Sequence, residues 1–225
     1  EPRFYGSIGF DKGWWYGLGR YNENEQWPIR TKMGETSGPR GIERLSVTGF
    51  FVKKLSNFYA NYSNTNYVAT KWDFPIIRLA DLYLLYAEAL NETLDPPDDA
   101  VYEYVDSVRM RAGLKGVVES WTTYSNQPGK FRTKEGMREI IQQERSIELA
   151  FEEHRFWDVR RWGLATREFN QSVRGWYYLG EVESEFYRVT VIDDLIYTTR
   201  DIFWPIRRYD MSVNDRILTF SMTKK

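Results

Sequence analysis

Glu144-Arg-Ser-Ile-Glu-Leu-Ala-Phe-Glu-Glu-His-Arg-Phe-Trp-Asp-Val-Arg-Arg-Trp-Gly163 interleaves charges and large apolar groups more densely than a solvated helix needs. Placed at about 100° per residue, Ile147 and Phe151 fall on one side and Leu149 and Phe156 on nearly the opposite one. Glu144, Arg145, Glu148, Glu152 and Arg155 are distributed between them. The pattern predicts a helix packed on two sides. An unpaired buried charge costs several kcal/mol, so Glu144, Arg145, Glu148 and Arg155 are expected to join an ion-pair network.

Upstream, the pattern of apolar residues predicts two more helices. From Phe74, the residues Ile77, Ala80, Leu84, Ala87 and Leu90 recur at helical spacing until Asp95-Pro96-Pro97 ends the run. Asp98 and Asp99 open a second helix with Val101, Tyr104, Val105 and Val108 on its apolar face, and Gly113 closes it. The large-small alternation of this hairpin is that of one tetratricopeptide unit, present in a single clear copy. Residues 115–132 read as an exposed loop, and Thr133 as the N-cap of a long helix that carries the quoted stretch. Residues 1–72 show no helical period and read as loops with a few short strands, such as the segment around Phe50, Phe51 and Val52. After Gly163 regularity fades, except for extended segments at 186–191 and 201–206. The expected architecture is mainly α, with loop-rich irregular regions and a few short strands. Residues 1–72 form an aromatic segment and 73–225 a helical region with an extended tail, the two making one structural unit.

Composition narrows the function. The 225 residues carry 31 basic and 32 acidic side chains, evenly interspersed, for a net charge of -1. No basic stripe points to nucleic acid, and no polybasic block to an anionic membrane surface. Without cysteine there is no disulfide, thiolate metal site or cysteine nucleophile, and the redox compartment stays open. The most apolar window, residues 74–90, contains Arg78, Asp81 and Glu88, each costing about 2.5 to 3.5 kcal/mol at a bilayer centre, so no spanning helix is expected. The opening Glu1-Pro2-Arg3-Phe4-Tyr5 has neither initiator methionine nor leader pattern and reads as part of a longer protein. Nine Trp, sixteen Tyr and thirteen Phe make up 17% of the chain.

Three segments together resemble one family. Phe74-Pro-Ile-Ile-Arg-Leu-Ala-Asp-Leu-Tyr-Leu-Leu-Tyr-Ala-Glu-Ala-Leu-Asn-Glu92, Val108-Arg-Met-Arg-Ala-Gly-Leu114 and the quoted stretch resemble, in order and spacing, the C-terminal half of SusD/RagB proteins. Pro2-Arg-Phe-Tyr-Gly-Ser-Ile8 resembles the family's lead-in, and Phe203-Trp-Pro-Ile206 followed by Asn214 its closing segment; Leu218-Thr-Phe-Ser221 departs from the usual ending. The resemblance implies a SusD-like helical fold and a non-enzymatic, cofactor-free lipoprotein on the surface of a Bacteroidetes-type outer membrane. It implies binding of an oligosaccharide, polysaccharide or other nutrient, peptides included, and delivery to a SusC-like TonB-dependent transporter. Contact with the membrane is implied only through a lipid anchor that this sequence does not contain.

Uncharged glycans are recognised by aromatic faces stacked on the C–H faces of sugar rings, with polar groups around the rim. Trp14, Trp15, Trp27, Tyr62 and Tyr67 are the candidate ligand-binding residues, with Tyr16, the polar run at 22–26 and Asn57, Asn61, Asn64 and Asn66 around them. The competing reading makes these rings core anchors of a loop-rich region. Trp121 and Tyr124 are second-rank candidates that could equally face the transporter. His154, the only histidine, sits near Glu152, Glu153 and Asp158, but no second histidine completes a metal motif. Asp81 and Glu88 lie two turns apart, about 10 Å along a helix, just above glycosidase carboxylate spacing; they are expected to pair with Arg78 and with an arginine of 144–163 respectively. The glycines at 6, 9, 13, 17 and 19 form no phosphate loop, and Asp193-Asp194 reads as solvated rather than as a calcium site. No catalytic or metal residue is assigned. A helical-repeat interaction scaffold is the alternative function, and a glycoside hydrolase the third.

Overall fold

The computed structural model describes residues 1–15, 27–40, 46–57, 61–63, 66–68, 71 and 73–213, with backbone alone at 27, 61–63 and 66–68. Helix α1 (Pro2–Ser7) opens the chain, with Pro2 in its first turn and the Glu1 carboxylate accepting from the Arg3 N–H. Strands β1 (Ile8–Phe10), β2 (Trp14–Trp15), β3 (Trp27–Pro28), β4 (Phe50–Val52), β5 (Asn61–Ser63) and β6 (Asn66–Val68) follow. They pair as three antiparallel two-stranded ribbons, β1 with β4, β2 with β3 and β5 with β6. The first segment is thus strands and loops as expected, with α1 as an unforeseen helix. Tyr16 and residues 22–26 lie outside the described residues, as do Gly17, Gly19, Asn64, Asn214 and residues 218–221.

The helical part begins at α2 (Leu79–Thr93), five residues later than the apolar pattern predicts. Pro75 disfavours a helical Phe74, the chain bends at Ile76 and Ile77, and Arg78 precedes the helix in an extended conformation. Helix α3 (Asp99–Arg111) is capped by the Asp98 carboxylate, which accepts from the N–H groups of Ala100 and Val101, and Gly113 closes it at φ 74°. Helix α4 (Val117–Tyr124) and a 3₁₀ turn at Lys130–Arg132 replace the expected loop. The cause lies outside the segment: Asp106 accepts from Val117 N–H at 2.6 Å, and Arg109 donates to Ser120 Oγ. Val117 and Phe131 are then buried in the main core with Ala80, Leu84, Ala87, Val101, Val105, Val108, Met137, Ile140 and Ile141.

Thr133 caps α5 (Lys134–Glu148), accepting from Gly136 N–H. The expected single long helix then breaks. Residues 149–153 turn, and α6 (His154–Arg161) starts afresh. Phe151 and Glu153 both take φ 66°, a left-handed conformation costing roughly 1 to 2 kcal/mol for a residue with a Cβ. Between them Glu152 is directed inward to Arg78 and Lys54, so the break serves the ion-pair network. The two-sided pattern fails accordingly: Leu149 is buried, whereas Phe151 and Phe156 are exposed.

After α7 (Ala165–Glu168), strand β7 (Ser172–Trp176) pairs antiparallel with β8 (Val189–Asp194), separated by α8 (Glu183–Phe186). Residues 186–191 are extended only from Val189, and 201–206 begins in a 3₁₀ turn at Thr199–Ile202 rather than a strand. Helix α9 (Arg208–Val213) ends the described chain. Gly175 and Gly49 allow this hairpin to lie on the early segment: a Cβ on Gly175 would stand 2.6 Å from Thr48 Cα, and Gly49 packs on Trp176 and Phe186.

Candidate ligand-binding surface

Two ion-pair clusters fix the scaffold. In the first, Glu144 meets Arg3 (2.6 Å) and Arg109 (2.9 Å), and Glu148 meets Arg3 (3.3 Å), Arg78 (3.0 Å) and Arg111 (2.5 Å). Glu152 meets Arg78 at 2.6 Å, and Lys54. Arg3 and Lys54 belong to the early segment, so the cluster ties it to α5. In the second, buried Arg145 holds Asp158 at 3.0 Å in a two-pronged contact, and stands 2.9 Å from Asp81 Oδ1 without hydrogen-bond alignment to it. Arg161 joins Asp158 to Glu88, which also accepts from Trp162 Nε1 at 2.7 Å. The predicted partner of Glu88 is therefore found, in Arg161. That of Asp81 is not: Arg78, three residues before it, is drawn to Glu148 and Glu152, and Arg145 takes its place. Arg155 stays outside both clusters on Glu168 and Ser146.

Protonation sets a pH limit on the first cluster. Burial alone would raise the Glu152 pKa, but bonds from Arg78 and Lys54 outweigh it and hold the group below the usual carboxylate range. Asp11 is lowered likewise, burial again opposing, by Lys32, Thr31 N–H and Tyr187. A lowered folded pKa adds stability that is full above the unfolded value and lost as pH falls through the folded one. Asp106, raised mainly by burial, works the other way and gains as pH falls. With Glu1, Glu92, Glu183 and Asp201 lowered as well and Asp106 alone raised among the described carboxylates that shift, the melting temperature should drop as pH is taken from 5 to below about 4; a flat profile measured by calorimetry would contradict the assignment.

The aromatic candidates separate by strand alternation. On β2, Trp14 is 51% exposed while Trp15 is half-buried, its ring so close to Gly9 that an added Cβ there would stand 2.5 Å from it. Trp15 thus packs inward on Gly9, and Trp14 points to solvent. Lys53 Nζ pins their strand by donating to Trp14 O at 2.8 Å and Tyr5 O at 3.0 Å. Trp27 is the cross-strand partner of Trp15, and Tyr62 that of Tyr67; the side chains of all but Trp15 lie outside the described residues. Trp121 is packed against the main core under Lys130 Nζ, 5.2 Å from the ring centroid, whereas Tyr124 is exposed beside Lys115.

Other candidates acquire structural partners. His154 Nδ1 stands 4.0 Å from Asp81, and Asp194 accepts from Ser172 Oγ. Among the described residues no group of three or more His, Asp or Glu is placed to hold a metal ion, and no helix is long and apolar enough to cross a membrane. Sequence reasoning missed a set of exposed rings on the far side of the α5–α6 break. Trp157 is 57% exposed and lies 6.2 Å from Trp204, itself 66% exposed. Pro205 was the available signal for Trp204, since it holds the preceding residue extended.

Fold and ion pairs together define a mainly helical scaffold whose central carboxylates are committed to arginines. The chain belongs to the SusD family, whose model it matches over residues 1–219. It is similar to SusD-like protein P25 of Formosa agariphila, 40% identical over 89 residues, which are 40% of this chain and 15% of that protein. Against SusD-like protein P2 of the same organism it is 36% identical over 107 residues, 48% of this chain and 19% of the relative. A crystal structure of a SusD-like protein (BF3747) from Bacteroides fragilis superposes with TM-score 0.73 and 28% identity, covering 95% of this chain and 37% of that one. The chain therefore spans under a fifth of these curated relatives and little more than a third of the solved one.

Proposed function

We propose that the protein is a non-catalytic binding component that holds a glycan, or another nutrient, at a bacterial cell surface and passes it to a SusC-like TonB-dependent transporter. In this reading the longer protein is lipid-anchored in the outer membrane, residues 1–72 carry the ligand surface, and 73–225 brace it. Membership of the SusD family supports the class. The observation that carries the site is the outward Trp14 beside an inward Trp15, a flat ring held in place by Lys53 and the β2–β3 ribbon. Trp27, Tyr62 and Tyr67 are proposed to extend it, on the strength of their places in the paired strands. A hydrolytic role is disfavoured because Asp81 stands against Arg145 and Glu88 is bonded to Arg161 and Trp162, so these contacts occupy the two carboxylates that would have to flank a scissile bond.

Affinity electrophoresis against a glycan panel tests this. Trp14→Ala should weaken binding about tenfold with unchanged melting, the loss of one stacking face. Trp15→Ala should instead lower the melting temperature. Wild-type affinity in the Trp14 variant would remove the platform. One observation favours a second reading as a protein-interaction scaffold: Ile76, Ile77, Leu79 and Leu82 leave an apolar stripe exposed at the start of α2. Binding to no glycan on the panel would favour it.

A further inference from the structure

Where α5 breaks into α6, the early segment and the helices enclose a groove of about 640 Å³, walled by Val52 and Leu55 on one side and by Phe151, Glu153, Phe156 and Trp157 on the other. The backbone of this corner is unusual. Turning Glu152 inward requires left-handed residues on either side of it, a place where glycine is the unstrained choice. Phenylalanine occupies one of them, 40% exposed as a residue and lining the groove. A strained position filled by a ring that contributes little to the core marks a site rather than a packing need.

The remaining rings are fixed from behind. Phe156 and Trp157 meet edge to face at 5.1 Å, and Trp157 continues to Trp204. The Arg160 guanidinium lies 4.9 Å from the Phe156 ring centroid and 5.6 Å from that of Trp204. It also donates to Asp201 O and Tyr197 Oη, locking the tail segment onto α6. At the rim, the exposed Glu153 carboxylate accepts hydrogen bonds, and Arg155, which shares Glu168 with Arg167 and is partly exposed, offers donors. Flat rings with an acceptor and a donor at the edge suit the C–H faces and hydroxyls of a neutral sugar.

We propose that this groove is a second saccharide-stacking site, taking a neutral oligosaccharide against Phe151 and Trp157. The inference rests on the glycan-binding reading above. It adjoins the Trp14 platform through the strand that carries Val52, since the next residue, Lys53, bonds the Trp14 carbonyl. The test is calorimetric titration of the whole chain with maltoheptaose, cellohexaose, laminarihexaose and xylohexaose. Phe151→Gly removes the ring and relieves the backbone, so it should keep or raise the melting temperature while weakening affinity at least fivefold. Trp157→Ala should weaken it similarly. If Phe151→Gly and Trp157→Ala both bind as wild type while Trp14→Ala does not, the groove is no site and the general reading stands. If the unaltered chain binds none of the four, this inference fails; if it also binds no other glycan, the general reading fails with it.

Discussion

Arg145→Ala should destabilise the protein by about 3 to 5 kcal/mol, because it removes one partner of a buried cluster and leaves the other charges behind. Arg145 is 2% exposed and stands between Asp158, held by two hydrogen bonds, and Asp81. Arg161 still reaches Asp158, but among the described residues no other arginine pairs with Asp81, which otherwise has only His154 at 4.0 Å. Arg145→Lys should recover only part of the loss, since an ammonium group cannot span both Asp158 oxygens and reach Asp81 as the planar fork does. Urea unfolding midpoints measure this. A loss below about 1 kcal/mol for the alanine variant would mean that the cluster contributes registry without stability.

Glu148→Ala should cost somewhat less, about 2 to 3 kcal/mol. Three guanidinium groups converge on this carboxylate, yet each has another resource. Arg3 keeps Glu144 and Glu1, Arg78 keeps Glu152, and Arg111 is largely in water. What is lost is one of the links between α1 and α5, so the early segment should loosen before the helices do. Hydrogen exchange should show it: faster exchange for the amides of α1 and β1, with α2 and α3 unchanged. Uniform acceleration over all of them would contradict a local tie.

Helix ends signalled by a single side chain were legible. Asp98, Thr133 and Gly113 act where local rules place them, because capping is a contact within a few residues. Helix α4 was not legible, since its first N–H is satisfied by Asp106, eleven residues earlier and on another helix. The break at 149–153 carries no glycine or proline; it becomes intelligible only once Glu152 is seen reaching Arg78 and Lys54. Asp81 shows the same limit. Arg78 is the partner that helical spacing suggests, but two glutamates of α5 and its C-terminal turn compete for it from 70 residues away or more. At the candidate site, adjacent tryptophans at 14 and 15 must face opposite ways on a strand, yet alternation alone does not say which faces out. The deciding neighbour is Gly9, whose missing Cβ admits the Trp15 ring.

The central claim is that this chain captures a sugar and leaves it chemically intact. Titrating the unaltered chain with each member of a glycan panel, and assaying the recovered ligand for new reducing ends, tests it most directly. The account predicts saturable binding to at least one glycan, weakened by Trp14→Ala, with the ligand recovered at its original length. Shortened ligand, or no binding across the panel, would contradict it.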